Sequence, residues 1–442
     1  MCNHYHPLST NTPSTLGLAH TRRQFLGRLG LISAAATLPS FVSRSAFAAT
    51  DTDWYTKDRP GKPDERVLVV VQLSGGNDGL NCVVPFGEAT YYRNRPQLGI
   101  AENDALALSV DGLGLNPQMR GIHEMIGQGR AAVVNGVGYP NPNRSHFKSM
   151  DIWHSGKTEE SAMRGRGWVG HAMDTAYPVD AEGNPPTAAS MATIALGSDA
   201  PMATQGAHVK PVTFQTPEAF RWSARDLGAP LSEAYDELHT SPTLPGIDAA
   251  DPLAFIQRTA CDAQAASSRV RSAVARRSET NFPRNALAVQ LEMVAKMVAA
   301  ELPTRVYYVT LGGFDTHSAQ QGRHNGLLGQ FSQAMQAFYR ELDATGHAGR
   351  VVSIAFSEFG RRLRQNASGG TDHGVAGPSF VFGDAINPGV HGRYPSLTQL
   401  DDGDLIHTTD FRALYADLLD NWMGIDANAA LGARYEHVGL FG

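Results

Sequence analysis

Side chains that could carry out chemistry recur in five short segments, of which four follow predicted strands and the fifth lies in a glycine-rich loop before the last strand. The groups are Asp78; Ser145 beside His146; Asp315 and His317; Glu358 and Arg361; and Asp372 with His373. Carboxylates combined with imidazoles are ligands for zinc, manganese or iron, and carboxylate-rich sets also suit magnesium or calcium. Two such sets facing each other would hold two ions about 4 Å apart and clamp both oxygens of an in-line displacement.

Ser145 lies where a helix is predicted to begin. The backbone N–H groups of a helix N-terminus favour a bound phosphate, and a nearby metal helps to deprotonate a hydroxyl. Ser145 is therefore a candidate nucleophile, although serine at this position is also a common helix cap.

The other groups also have ordinary structural explanations. Asp78 could be an ordinary turn residue. Asp315 and His317 could form a local hydrogen-bonded turn, and Glu358 could simply pair with Arg361. Packing explains Asp372 and His373 less easily, because they adjoin each other in a glycine-flanked loop. Taken jointly, the placement of all these groups after successive strands favours a metal site.

The elements that must position these groups are predicted from hydrophobic periodicity. Buried strands are predicted over residues 66–73, 130–137, 193–197, 305–311, 350–356 and 379–382. Helices are predicted over residues 116–128, 145–154, 287–298 and 327–342. Strands that alternate with helices predict an α/β fold with a mainly parallel sheet, in which ligands bind at the carboxyl ends of the strands.

One stretch differs from this pattern. Residues 200–285 are richer in Ala, Ser and Pro, and they predict a mainly helical insertion or cap. Cys82 and Cys261 are the two cysteines beyond the first fifty residues. They would either pair in an oxidising compartment or remain buried free thiols.

The N-terminal segment, residues 1–48, is predicted to be a twin-arginine export signal, followed by a linker over residues 49–65. Arg22 and Arg23 precede Phe25, and Ala48 ends a small-x-small cleavage motif. The apolar run over residues 29–42 is shorter than the roughly 20 residues of a membrane span. We therefore expect a periplasmic or extracellular protein without stable membrane insertion, with the Tat translocon as its partner during export.

The charge balance argues against some partners. The chain has 37 basic and 43 acidic residues, and cleavage after residue 48 would remove four arginines and no acidic residue. A net charge of about −10 would remain, which argues against nucleic acid or an anionic membrane as the main partner.

Five motifs resemble a known family. LSGGNDGLN, RSHFKSMDIWHSG, GGFDTH, SEFGR and GTDHG, in this order, resemble the bacterial family called domain of unknown function 1501, over about residues 66–422. That family in turn resembles the superfamily of alkaline phosphatases, sulfatases and cofactor-independent phosphoglycerate mutases. The resemblance implies a three-layer α/β/α sandwich over residues 66–442, two divalent ions (zinc, manganese or magnesium), and a serine or threonine nucleophile.

The resemblance also implies a role for each matching residue. Ser145 would be the nucleophile, and Arg144 or Arg361 would steady an anionic substrate. The implied metal ligands are Asp78, which would bind one of the ions; Asp315 and His317, whose shell His391 would close; and Asp372 with His373 for the other ion. Glu358 and Arg361 are typical of the uncharacterised family and not of the phosphatases, and Glu358 is a candidate ligand or supporting group.

Two departures from the superfamily pattern matter. Only Thr316 separates Asp315 from His317, whereas the superfamily spaces these ligands by three or four residues, so His324 is an alternative ligand. His146 is expected only as an accessory group. Residues 140–144 carry proline where a formylglycine sulfatase needs cysteine or serine, which argues against that class.

The leading hypothesis is an exported metal-dependent hydrolase acting on a phosphate or related ester, either a small anionic ester or a polysaccharide-linked one. The main alternative is a non-catalytic exported protein on the same fold that binds a polysaccharide or assists assembly. An isomerase or transferase on this scaffold is a third hypothesis.

Overall fold

The computed structural model describes residues 66–159, 165–181, 183, 185–216 and 266–442. The predicted export signal and linker, and also Cys261, lie outside the described residues.

The apolar runs predicted as strands form the centre of one large sheet. In chain order the strands are β1 (Val67–Ser74), β2 (Val83–Val84), β3 (Leu106–Ala107), β4 (Gly114–Leu115), β5 (Ala131–Gly138), β6 (Thr193–Leu196), β7 (Val212–Phe214), β8 (Val306–Gly312), β9 (Val351–Phe356), β10 (Arg361–Gln365), β11 (Thr371–His373), β12 (Gly377–Phe382), β13 (Gly389–His391), β14 (Leu400–Asp401), β15 (Asp404–Leu405) and β16 (Thr409–Asp410). The large sheet has the order β13-β5-β12-β9-β1-β8-β6-β7, with β16 also pairing with β5. Its pairings are parallel except those of β12, which is antiparallel to β5 and β9.

Helices flank this sheet. In chain order they are α1 (Gly79–Cys82), α2 (Ala89–Asn94), α3 (Arg120–Gly127), α4 (His146–Ser155), α5 (Trp168–Ala176), α6 (Ala286–Ala299), α7 (Gln320–Ala344), α8 (Phe411–Asp417) and α9 (Ala427–Leu431), with a π-helical segment at Leu418–Met423. Among the described residues, none of the helices combines the length and apolar character needed to cross a membrane.

Strand β1 shows why both faces of the sheet are covered. Its side chains alternate between the faces. Val69 and Val71 enter a core shared with α3, α6 and α7, whereas Leu68 and Val70 enter a second core shared with α4, α5, α8 and α9. A strand buried on both faces is expected to be a continuous apolar run. The predicted three-layer α/β/α sandwich with a mainly parallel sheet is thereby confirmed.

The stretch predicted as a helical insertion is partly built into the sandwich. Strand β7 lies within residues 200–285 and extends the large sheet beside β6. A helical segment over residues 266–274 buries Val270 and Ala273 in the core that Val69 and Val71 of β1 also enter. Residues 217–265 lie outside the described residues.

The start of helix α7 differs from its predicted position. Helix α7 begins at Gln320, well before residue 327, because its polar first turns are anchored by contacts of Gln320 and His324 with the loop after β1.

Of the two states that the sequence left open for Cys82, the structure shows a buried free thiol. Its Sγ lies 3.6 Å from the Met119 sulfur, and burial raises the pKa of the thiol to about 12.

Candidate metal centre

The loops that carry the predicted site meet at one edge of the sheet. Strands β8, β1 and β9 are parallel neighbours whose register pairs Ser74 with Gly312 and Gln72 with Phe356. The segments that follow them therefore lie side by side. Gly75 has a φ of +120°, and a Cβ built there would lie 2.4 Å from the backbone nitrogen of Asp315. Only glycine allows this close approach of the first loop to Asp315.

Three imidazoles surround one carboxylate oxygen at this edge. The Asp315 Oδ1 atom lies 3.0 Å from His317 Nε2, 3.2 Å from His373 Nε2 and 3.5 Å from His146 Nε2. The Nε2 atoms of His317 and His373 are 2.9 Å apart. Within the described residues, His146, Asp315 and His373 form a group whose ligand atoms all lie within 4.8 Å of one another, and His317 adjoins it.

The opposite ring nitrogen of each histidine faces an oxygen that can only accept a hydrogen bond. The pairs are His146 Nδ1 with Glu358 Oε1 at 2.8 Å, His317 Nδ1 with Asp372 Oδ1 at 3.3 Å, and His373 Nδ1 with the Arg144 carbonyl at 2.8 Å. A neutral ring in this setting carries its hydrogen on Nδ1 and its lone pair on Nε2. Metal-binding histidines are normally oriented in this way.

This arrangement fits one divalent cation. The His146 Nε2 atom is buried and has no hydrogen-bond partner, and two lone-pair nitrogens 2.9 Å apart repel each other unless a proton or cation lies between them. Atoms that share a tetrahedral ion at about 2.0–2.2 Å are about 3.4 Å apart, close to the 2.9–3.5 Å found here. Imidazole with carboxylate suits zinc, manganese or iron.

Arg361 lies behind the cluster and not in it. Its fully buried guanidinium donates to Asp315 Oδ1 at 2.8 Å and to the backbone carbonyls of Gly76 and Thr371. Burial alone would raise the pKa of Asp315, but the hydrogen bond and the positive charge of Arg361 lower it to about 2. Asp315 is therefore an anionic ligand candidate. Arg361 does not fit its predicted role as an anion clamp, because its N–H groups already donate to Asp315 and to backbone carbonyls of the surrounding loops.

Glu358 supports a histidine and is poorly placed to be a ligand. This buried carboxylate accepts hydrogen bonds from the Gly75 backbone N–H at 2.9 Å, from Ser357 at 3.1 Å and from His146. The hydrogen bond from His146 to Glu358 raises the pKa of His146, against the effect of burial. Burial lowers the pKa of His373, and the hydrogen bond with the Arg144 carbonyl offsets this lowering only in part.

Asp78 is held by an arginine, which corrects its prediction as a metal ligand. The Asp78 carboxylate is fully buried, lies 2.5 Å from Arg95 Nη1 and accepts a second hydrogen bond from Gln320. Burial would raise the pKa of Asp78, but Arg95 lowers it. Because a guanidinium neutralises the carboxylate that was expected to bind an ion, the described residues offer one compact ligand set and not two.

His391 and Asp372 also differ from their predicted roles. His391 belongs to β13 and is in register with Val134, four residues before the carboxyl end of β5, and its Nε2 bonds the Asn387 carbonyl at 2.9 Å. It is thus outside the cluster. Asp372 orients His317 and also accepts from Asn366, whose hydrogen bond lowers the Asp372 pKa.

Ser145 keeps a position compatible with its predicted role. It is exposed at the residue preceding α4, and its side chain makes no capping hydrogen bond. The next residue is His146 of the cluster. The adjacent Arg144 guanidinium lies 3.1 Å from Asp404 and 3.8 Å from Asp402. Arg144 is therefore already paired with carboxylates.

Solvent reaches the cluster. The side chain of Asp315 is 47% exposed and that of His317 is 44% exposed, whereas His373 is 22% exposed. The cluster thus lies at the surface, with the His146 Nε2 atom as its buried member.

Sequence reasoning gave too little weight to His146 and overlooked Arg95. His146 was expected only as an accessory group, although its place at the start of a helix after β5 was a usable signal. Arg95 follows a short helix and precedes Pro96, and no motif marks it. Its pairing with Asp78 across 17 residues is a product of tertiary packing.

Comparison with known proteins gives weak structural likenesses. Ps i-CgsB has 10% sequence identity and a TM-score of 0.36, with 84% of this chain and 73% of that chain covered. The lipoteichoic acid synthase LtaP from Listeria monocytogenes has 10% identity and a TM-score of 0.32, with 79% and 72% covered. A protein in the alkaline phosphatase superfamily from Vibrio parahaemolyticus has 10% identity and a TM-score of 0.32, with 83% and 70% covered. TM-scores this low establish no activity.

The family assignment comes from the sequence. A search of curated proteins finds no match. The family model described as "Protein of unknown function (DUF1501)" matches residues 65–434, which include every residue of the histidine cluster. The chain therefore belongs to the DUF1501 family.

Proposed function

We propose that this protein is an exported metal-dependent hydrolase of a phosphate or related ester. The observation that carries the proposal is the convergence of three histidine Nε2 atoms on Asp315 Oδ1 at a solvent-accessible edge of the sheet. The proposed ligands of a single divalent ion are His146, Asp315, His317 and His373.

Each part of the site has a chemical role in this proposal. A bound divalent cation would supply Lewis-acid polarisation of the ester. Glu358 and Asp372 hold the histidine lone pairs toward the ion. Ser145 is the proposed nucleophile, because its hydroxyl is not used as a cap and the N-terminus of α4 favours an anionic group beside it.

A second candidate function rests on the number of ligands. Structural zinc sites are closed by four protein ligands, whereas catalytic zinc sites leave one position open. Four candidate ligands meet here, so an ion that binds all four in a tetrahedron would favour a non-catalytic exported protein. Manganese or iron, with higher coordination numbers, would leave room for a substrate.

Metal content tests the centre itself. We expect about one zinc, manganese or iron per chain in the purified protein, almost none in His146→Ala, and an unchanged amount in the control His391→Ala. Elemental analysis by mass spectrometry measures this. Absence of metal from the wild type, with no gain in Tm on adding zinc or manganese, would remove the proposal.

Hydrolysis separates the two candidate functions. We expect the metal-loaded protein to hydrolyse p-nitrophenyl phosphate, bis(p-nitrophenyl) phosphate or p-nitrophenyl sulfate. Ser145→Ala should lower kcat/KM at least 100-fold, whereas the exposed control Ser109→Ala should match the wild type. Bound metal without turnover of any ester favours the non-catalytic function, and full activity of Ser145→Ala excludes that serine as nucleophile.

A further inference from the structure

A second concave site lies away from the histidine cluster, where the chain enters α6. It is a groove of about 650 Å³, within the roughly 300–1,000 Å³ typical of ligand pockets. Its walls are supplied by Arg277, Ser278, residues 280–286, Val289 and Glu292. No residue proposed above as a metal ligand or nucleophile lines it.

The groove is cationic in an acidic protein. Arg277 and Arg284 are exposed, and neither guanidinium has a hydrogen bond or ion pair anywhere in the described part of the chain. The acidic wall residue Glu292 is already paired, with Lys296 at 2.8 Å and with the Ser278 hydroxyl at 2.7 Å. The whole chain carries a net charge of −6, so two unpaired arginines in one groove are not explained by overall composition.

The loop that presents these arginines is held in place by buried polar contacts. Glu341 is 2% exposed, and its carboxylate accepts hydrogen bonds from the Glu279 backbone N–H at 2.9 Å and from the Thr280 backbone N–H and hydroxyl at 2.7 and 2.8 Å. Asn285 caps α6 by accepting from the Ala288 N–H. A preorganised loop loses little entropy on binding a ligand.

The remaining walls offer uncharged contacts of two kinds. Asn281 is exposed, and its amide has no hydrogen-bond partner among the described residues. Phe282 is half-buried against the core, and Val289 is 52% exposed. The free amide of Asn281, a ring and an aliphatic surface beside two cations match a sugar ring that carries anionic substituents, which needs both apolar stacking and charge-assisted hydrogen bonds.

We propose that this groove binds an acidic oligosaccharide with sulfate, phosphate or carboxylate substituents. Gln290 bonds the backbone of Thr310 near the carboxyl end of β8, and Asp315 follows the same strand end. The groove thus lies toward the sheet edge that bears the histidine cluster. A chain-like ligand held by Arg277 and Arg284 would be retained near that edge, whatever chemistry occurs there.

Titration calorimetry at about 0.15 M salt with a chondroitin 4-sulfate tetrasaccharide tests this proposal. The double variant Arg277→Ala/Arg284→Ala should bind at least tenfold more weakly than the wild type. The control Arg120→Ala/Arg434→Ala removes the same charge from two exposed arginines outside the groove and should bind within twofold of the wild type. Equal losses in both double variants, or no binding by the wild type, would overturn the proposal.

Two further ligands check the chemical class. Maltotetraose tests a neutral sugar and tetraglutamate an acidic peptide, and both should bind at least tenfold more weakly than the sulfated tetrasaccharide. Tetraglutamate binding as tightly as the tetrasaccharide would overturn the assignment to a sugar. Metal content should be the same in both double variants, so failure here is distinguishable from failure of the proposed hydrolase.

Discussion

At the scale of single residues, the centre depends on which nitrogen of each histidine carries the hydrogen. His146, His317 and His373 each have an acceptor at Nδ1, and these acceptors come from three different segments of the chain. The lone pairs at Nε2 are therefore directed by groups outside the candidate ligand set. Such supporting groups typically contribute 10–100-fold to metal affinity.

Glu358→Gln tests this support. The amide retains the shape of Glu358 but not the charge that fixes His146 with its Nδ1 hydrogen. We expect the affinity for zinc, measured by competition with a chelator, to fall about 10- to 100-fold while the protein stays folded. The exposed control Glu436→Gln should bind zinc as the wild type does. Unchanged affinity in Glu358→Gln would show that His146 needs no such partner.

At the scale of elements, the site depends on the close approach of loops that follow different strands. Arg361, at the start of β10, ties the loops after β1 and β8 together through the carbonyls of Gly75, Gly76 and Phe314. Strand β11 then crosses the segment after β8 so closely that a Cβ on Gly370 would lie 2.2 Å from the carbonyl carbon of His317. Glycine at 370 thus brings His373 within reach of His317.

Gly370→Ala is expected to force these segments apart. Overpacking of this kind costs about 1–3 kcal/mol, so the urea midpoint should fall, and zinc affinity should fall with it because His317 and His373 separate. The control Gly326→Ala is exposed in α7 with open space around its Cβ position, and we expect it to be neutral or stabilising by up to about 1 kcal/mol. If Gly370→Ala keeps the stability and zinc affinity of the wild type, the approach of this segment to His317 does not require glycine.

At the scale of the whole molecule, buried histidines link stability to pH. His154 of α4 is buried against the face of the sheet that bears Leu68 and Val70. Its Nε2 atom lies 3.1 Å from both Gln72 Oε1 and the Tyr308 hydroxyl. Burial lowers the pKa of His154 to about 4, whereas an unfolded histidine titrates near 6.5. Between these values only the unfolded chain takes up the proton. Stability is therefore retained above pH 6.5 and lost as the pH falls toward 4.

His154→Gln removes this contribution. We expect the free energy of unfolding of the wild type to fall more steeply between pH 6.5 and 4, by about 1.4 kcal/mol per pH unit, than that of the variant. Urea denaturation at a series of pH values measures both slopes. Above pH 7 the two curves should run parallel, because His154 is then neutral in both states. Identical slopes below pH 6.5 would mean that His154 takes up its proton while folded.

Much of this architecture follows from the sequence alone. The continuous apolar runs determined the six predicted strands, and their alternation with helices determined the layered α/β fold, because a strand buried on both faces leaves few other arrangements. The loop motifs were also readable, and they indicated which residue types would gather at the strand ends. Asp315, His317 and His373 were named in this way, and they lie together in the structure.

Only the tertiary structure decided which of the candidate side chains share the site. Spacing along the chain shows which strand a residue follows, but not the direction in which its side chain points. Asp78 follows the central strand as predicted, yet Arg95 and Gln320 converge on it and take it out of the ligand set. His391 lies on an edge strand before the relevant end, whereas His146, which no spacing rule favoured, is turned inward by the buried carboxylate of Glu358, 212 residues away. Such contacts form only when the strands assemble into the sheet, because they depend on sterics and charge between loops from different strands and not on local sequence.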